Sequence, residues 1–137
     1  MVPPIDRPFV GGWLAVIFTV MAVLGLGAIA LRQAQNQKAL AESLTGGDAA
    51  YAPGLLTRYG CGGCHTIAGV PGADGRVGPA LEGLLQRVYI GGTLQNTPDN
   101  LVAWIVDPPR FSPHTAMPPT GIHNQEARDV AAYLYAH

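Results

Sequence analysis

Between Phe9 and Leu31 the sequence FVGGWLAVIFTVMAVLGLGAIAL runs for 23 residues without a charge. Crossing a hydrocarbon core of ~30 Å takes about 20 helical residues, so the run predicts a membrane-spanning helix over 9–31. Pro8 precedes it, Arg32 closes it, and Trp13 lies near enough to one end to act as an interfacial anchor. A cleaved signal segment is the competing reading, because Ala28, Ile29 and Ala30 form a small-x-small pattern. Length favours the span, since signal h-regions run to about 7–15 residues and the positive region ahead of this one is only Arg7 beside Asp6. Flanking charge leaves the orientation open, with Arg7 on the short side and Arg32 and Lys38 on the other.

Past Leu31 the pattern changes. RQAQNQKALAESL is built of good helix formers and predicts that the helix continues into water as a short stalk, until Thr45, Gly46, Gly47 and Asp48 break it. The chain therefore divides into an N-terminal segment 1–8, a span 9–31, a stalk or linker 32–47 and a domain 48–137. Within the domain, Ala52–Cys61 reads as a helix leading into a cysteine motif. Pro79–Val88 reads as a brief helix with Leu81, Leu84 and Leu85 on one face. In TPDNLVAWIV, Thr97 is the expected N-cap, Pro98 stands in the first turn, and Leu101, Trp104 and Ile105 fall at helical spacing. Asn124 is the expected cap of EARDVAAYLYAH, in which Val130, Tyr133 and Leu134 share a face. No alternating pattern predicts a strand. GVPGADGRVGP at 69–79 reads as loop and DPPRFSPHTAMPPTG at 107–121 as an extended segment, since proline disfavours helix and pushes its predecessor toward extended geometry.

Composition narrows the class. The 137 residues have room for one modest domain and an appendage, and a domain of roughly 90 residues has a marginal core without a staple, metal or cofactor. Only 12% of residues are charged, 48% are hydrophobic and the net charge is −1, which excludes a disordered chain and the basic stripe of a nucleic-acid binder. The expected partner is an apolar surface or a lipid bilayer.

Both cysteines lie in one pentapeptide, CGGCH at 61–65. A redox dithiol of the thioredoxin kind would open a helix after a strand, a setting this chain lacks. Structural zinc needs about four ligands and would have to recruit two of His65, His114, His123 and His137, which lack paired spacing. Cys-x-x-Cys-His is the signature of covalently attached haem c: thioethers from Cys61 and Cys64 hold one edge of the porphyrin, and His65 is thereby brought under the iron. Haem c is attached outside the cytoplasm, so the motif also orients the membrane helix, with the N-terminus inside and the domain outside.

Such iron usually takes Met or His as its other axial ligand. Of the three methionines, Met1 is terminal and Met21 lies in the span, which leaves Met117, in HTAMPPTG, where Pro118 and Pro119 stiffen an extended loop. A methionine filling a core gap is the plainer reading, but a core methionine is expected inside an apolar periodic segment rather than between prolines. His114 and His123 are the alternative ligands.

The succession GCGGCHTI, VGPAL, GTLQNTPDNLVAWIVDP, AMPPTG and AAYLYAH resembles class I c-type cytochromes over about Asp48–His137, and most resembles the cytochrome c domain fused to subunit II of caa3-type haem-copper oxidases. The resemblance implies an all-α fold, the small class I cytochrome c fold of short helices and loops around one haem c, here with one N-terminal transmembrane helix. It implies that Pro79 offers its carbonyl to the ring N–H of His65, fixing the ring and raising its basicity. It also implies that the first and last domain helices cross, bringing Leu55, Leu56 and Tyr59 to Tyr133 and Leu134, with Leu56 where many members carry an aromatic. Arg87, Tyr89 and Trp104 become candidates to bind the haem propionates, Trp104 being equally readable as core.

The implied function is electron transfer rather than catalysis. A His/Met-ligated haem has no open position for substrate, so the chain is expected to carry single electrons as a subunit of, or donor to, a respiratory terminal oxidase, with a redox donor protein as its other partner and no nucleic acid. Another membrane complex, quinol-oxidising or photosynthetic, is the alternative, followed by a haem enzyme or sensor with a labile sixth ligand. The expected location is the bacterial inner membrane, with the haem domain on the periplasmic or outer side. From Ala39 onward five arginines face eight carboxylates and there is no lysine ring. A tethered domain gains local concentration from its anchor instead of from such charge steering.

Overall fold

Helix α1 runs from Val10 to Thr45 without a break. The structure is a computed structural model that describes residues 10–137, with side chains from Gly12 onward; the expected segment 1–8 and the start of the span at Phe9 lie outside the described residues. From Trp13 to Leu31 the large apolar side chains of α1 are exposed, and the mean hydropathy reaches 2.6 in its most apolar stretch. A helix apolar on every face suits a lipid surround rather than water, and this one is long and apolar enough to cross a membrane.

The chain forms two compact units, which divide between Gln35 and Asn36. Here the structure differs from the expectation of a stalk over 32–47 and a domain from Asp48. The last turns of α1 belong to the second unit, where Ala41 and Thr45 are buried. Their partners are polar groups on α5 (Asn124–Ala136) and the turn that follows α1. Arg128 Nη1 donates to the Thr45 carbonyl at 2.8 Å, Gln125 Nε2 donates to the Gly46 carbonyl at 3.2 Å, and Asp129 Oδ1 accepts the Asp48 N–H at 2.8 Å. Glu42 Oε1 accepts the Ala49 N–H at 3.1 Å. Side chains of α5 thus satisfy carbonyls that a helix C-terminus leaves open. Composition alone hides this, because Gln, Ala and Lys at 33–39 suit a solvated helix equally well.

The second unit is built on α5. Its buried face, including Ala127, Val130, Ala131 and Leu134, receives α2 (Ala52–Arg58) and α3 (Pro98–Val106). In α3 the Thr97 hydroxyl oxygen accepts the Asn100 N–H at 3.3 Å, Pro98 needs no N–H partner in the first turn, and Leu101, Val102, Trp104 and Ile105 are buried. Helix α5 is capped one residue earlier than expected: His123 is the N-cap and Glu126 Oε2 accepts its N–H at 3.2 Å, the carboxylate half of a capping box.

Three local expectations change. The expected helix over Pro79–Val88 shrinks to a 3-10 turn at Leu84–Gln86, because Gly83 takes a left-handed φ of 63° and the Arg87 guanidinium binds the Ala80 and Glu82 carbonyls. The 107–121 segment begins with a single helical turn, α4 (Pro108–Phe111), whose prolines sit where helix N–H groups have no partner anyway. A hairpin of two residues per strand, β1 (Tyr89–Ile90) with β2 (Leu94–Gln95), was not expected. Strands this short carry no readable period, and the fold remains helical.

The return from α1 passes so close to α5 that a Cβ on Gly47 would lie 2.2 Å from the Arg128 backbone carbonyl carbon and oxygen. Gly47→Ala is expected to destabilise the protein by about 3 kcal/mol, at the upper end for overpacking, read as a lowered urea midpoint with an unchanged slope.

Candidate functional site

The CGGCH segment follows directly from the end of α2. Tyr59 caps that helix, Gly60 turns the chain with φ 69°, and Cys61–Gly63 forms a 3-10 turn closed by the Cys64 N–H on the Cys61 carbonyl at 3.2 Å, to which the His65 N–H also donates at 3.0 Å. The following loop folds back along the motif: the Gly75 N–H donates to the Gly62 carbonyl at 3.0 Å and the Gly78 N–H to the Cys64 carbonyl at 2.8 Å. Gly78 lies against the His65 ring so closely that a Cβ there would stand 2.3 Å from Cε1.

His65 Nδ1 donates to the Pro79 carbonyl at 2.8 Å. A neutral imidazole that donates from Nδ1 keeps an unprotonated lone pair on Nε2, the form a metal ligand requires. The two thiols are unpaired, and burial pushes the Cys61 thiol up from its ordinary value. A redox-active dithiol needs the opposite, a thiol of lowered pKa.

All eight residues singled out from the sequence, Cys61, Cys64, His65, Pro79, Arg87, Tyr89, Trp104 and Met117, line one cavity of about 360 Å³. The alternative ligands His114 and His123 do not line it. Its wall is largely apolar, with Leu56, Leu84, Leu101, Ile105, Val130 and Leu134 contributed by α2, α3, α5 and the 84–86 turn. Met117 is half-buried and packs against the core, and its N–H donates to the Thr115 hydroxyl at 3.2 Å. Two thiols, an imidazole with a free Nε2, a thioether and an apolar cleft of cofactor size form a donor set that fits haem c.

Sequence reasoning missed what holds the wall in place. Asn96 Nδ2 donates to the Leu84 carbonyl at 2.7 Å and the Arg87 carbonyl at 2.8 Å, and its Oδ1 accepts the Tyr135 O–H at 2.6 Å. This one amide ties the 84–88 segment to α5. Tyr133 fixes the loop after the motif in the same way, its O–H donating to the Ala68 carbonyl at 2.7 Å. Tyr59, expected beside Tyr133 and Leu134, packs against the core that holds both, lines the cavity together with Leu134 and hydrogen-bonds Glu126. Arg87 spends one guanidinium nitrogen on the Ala80 and Glu82 carbonyls. Among the described residues the Trp104 indole N–H has no partner within the protein.

The family model for cytochrome c matches residues 47–136, and the chain belongs to the cytochrome c family. It is accordingly a haem c electron carrier, with the haem bound covalently. Among curated proteins it is 35% identical over 75 residues to the cytochrome c oxidase subunit 2 of Alkalihalophilus pseudofirmus, a match covering 54% of this chain and 21% of that protein. The match thus spans about a fifth of the relative's length. No solved structure matches the chain.

Burial pushes the Tyr135 phenol from its usual 10 up to about 12. Between those values the unfolded chain has lost a proton that the folded chain keeps, so the folded state binds more protons and stability falls as pH rises from about 10 to about 12. Denaturant midpoints measured below and across that window should show the decline. Tyr135→Phe should flatten it, leaving a smaller part from Tyr133 and Tyr59, whose phenols are also raised.

Proposed function

We propose that this chain is a membrane-anchored monohaem cytochrome c that passes single electrons through a haem ligated by His65 and Met117, as a subunit of or donor to a respiratory terminal oxidase of the haem-copper class. The observation that carries the ligand assignment is the His65 Nδ1–Pro79 hydrogen bond on a cavity that Met117 also lines, whereas the two alternative histidines are elsewhere. Bound haem supplies the one-electron couple. The chain's own residues do the rest: Cys61 and Cys64 fix the porphyrin edge, Pro79 sets the imidazole orientation, and apolar side chains exclude water. Met117 raises the potential by favouring the ferrous state. The Trp104 indole N–H and the remaining guanidinium nitrogens of Arg87, Nε and Nη1, with the Tyr89 hydroxyl, are the candidate donors for the propionates.

The oxidase assignment is supported by the similarity to an oxidase subunit 2 and by the apolar length of α1. Haem c attachment outside the cytoplasm supports a domain on the periplasmic or outer side of a bacterial inner membrane. Anchoring concentrates the carrier near its partner and substitutes for the absent lysine ring. A quinol-oxidising or photosynthetic complex would use the same site, and the subunits that co-purify in mild detergent discriminate among these assignments.

The ligand pair is tested by Met117→Ala. The wild type, once reduced, should not bind carbon monoxide, and its oxidised form should show a sulfur-to-iron charge-transfer band. The variant should bind carbon monoxide, lose that band, and fall in reduction potential by on the order of 100 mV, within the ~0.8 V over which axial ligands set haem potentials. A variant that keeps both properties of the wild type would exclude Met117.

A further inference from the structure

A charged pair, Arg58 and Glu126, stands behind one residue of the cavity wall, without a part in ligation. Tyr59 lines the cavity two residues before Cys61, and its O–H donates to Glu126 Oε2 at 2.7 Å. Glu126 Oε2 also accepts the His123 N–H at 3.2 Å in the first turn of α5, and Oε1 lies 3.3 Å from Arg58 Nη1. The Arg58 guanidinium carbon stands 5.4 Å from the Tyr59 ring centroid. One cavity-lining ring therefore carries a carboxylate at its hydroxyl end and a guanidinium over its face.

The carboxylate is held ionised and in place. It has donors from two helices, stands at a helix N-terminus, where negative charge is favoured, and its carboxyl lies below the ordinary carboxylate range, chiefly through the Tyr59 hydrogen bond. The groups that face it are Tyr59 and Arg58 from α2 and His123 on its own helix. Its side chain is 23% exposed and that of Arg58 68%. Coulomb interaction weakens with solvent screening, so the carboxylate is the less screened charge of the pair.

We propose that Glu126, held against the cavity-lining Tyr59 by its hydroxyl, is a fixed electrostatic determinant of the haem reduction potential, which it lowers and which Arg58 raises. This rests on the haem reading above. Oxidation adds one positive charge to the iron, and a nearby carboxylate stabilises that state while a guanidinium opposes it. The step is the gain or loss of one electron; no bond changes, and Glu126 stays ionised in both states at neutral pH. Tyr59 is a positioning residue, acting through the carboxylate it holds.

The test is a spectroelectrochemical titration of the full-length haem-loaded protein in detergent, at neutral pH and low ionic strength, for the wild type, Glu126→Gln, Arg58→Gln and Tyr59→Phe. The expected result is a rise in potential for E126Q, a fall for R58Q and a smaller rise for Y59F, all with wild-type absorption spectra. Opposite signs for the acid and the base are what a general loosening of the α2–α5 contact would not produce. If E126Q does not fold, R58Q carries the test, since Arg58 is mostly exposed and only the electrostatic reading lowers its potential. Potentials that shift in the same direction, or an unshifted R58Q, overturn this inference alone. Absence of covalent haem from the wild type, read by its pyridine haemochrome spectrum, would overturn the functional reading and this inference with it.

Discussion

The site depends on a loop folding back along its own cysteine motif. The Gly75 and Gly78 N–H groups bond to the carbonyls of Gly62 and Cys64, and this brings the Pro79 carbonyl to His65 Nδ1. One backbone acceptor thereby decides which imidazole nitrogen carries the proton and which is free. The same approach leaves no room for a side chain at Gly78. Tautomer, ring orientation and loop path are one constraint expressed three ways.

Around that constraint the unit is assembled from polar ties between pieces that share little regular structure. Helix α5 supplies most of them. Tyr133 reaches the loop behind the motif, Tyr135 reaches Asn96 and through it the 84–88 segment, and Glu126 reaches Tyr59. Nearer the start of the same helix, Gln125, Arg128 and Asp129 hold the end of α1 and the turn after it. A small core with long loops gains little from apolar burial alone, and buried hydrogen bonds of good geometry give each loop a single path.

What could be read in the sequence was what covalent chemistry or periodicity imposes. The spacing of CGGCH follows from thioether reach, α3 and α5 follow from apolar repeats with caps, and Met117 stood out because only one methionine is available outside the span and the chain start. Aperiodic tertiary contacts were not legible. Nothing around Asn96 announces that its amide joins three segments, and no pattern pairs Tyr59 with Glu126 across 67 positions. The helix expected over 79–88 failed for a related reason: its leucine spacing is genuine, but Gly83 and the backbone contacts of Arg87 override it.

The docking of α1 onto α5 also redraws where the haem-binding unit can be separated from the rest of the chain. A fragment cut at Asp48, where composition places the boundary, would keep Arg128, Gln125 and Asp129 but remove or cut away what they hold. It would also remove Ala41 and Thr45, both buried in the intact unit. A fragment that starts at Asn36 keeps these contacts and omits the stretch that is apolar on every face. The compact unit that contains the haem-binding cavity therefore carries ten residues of the helix that leads to it.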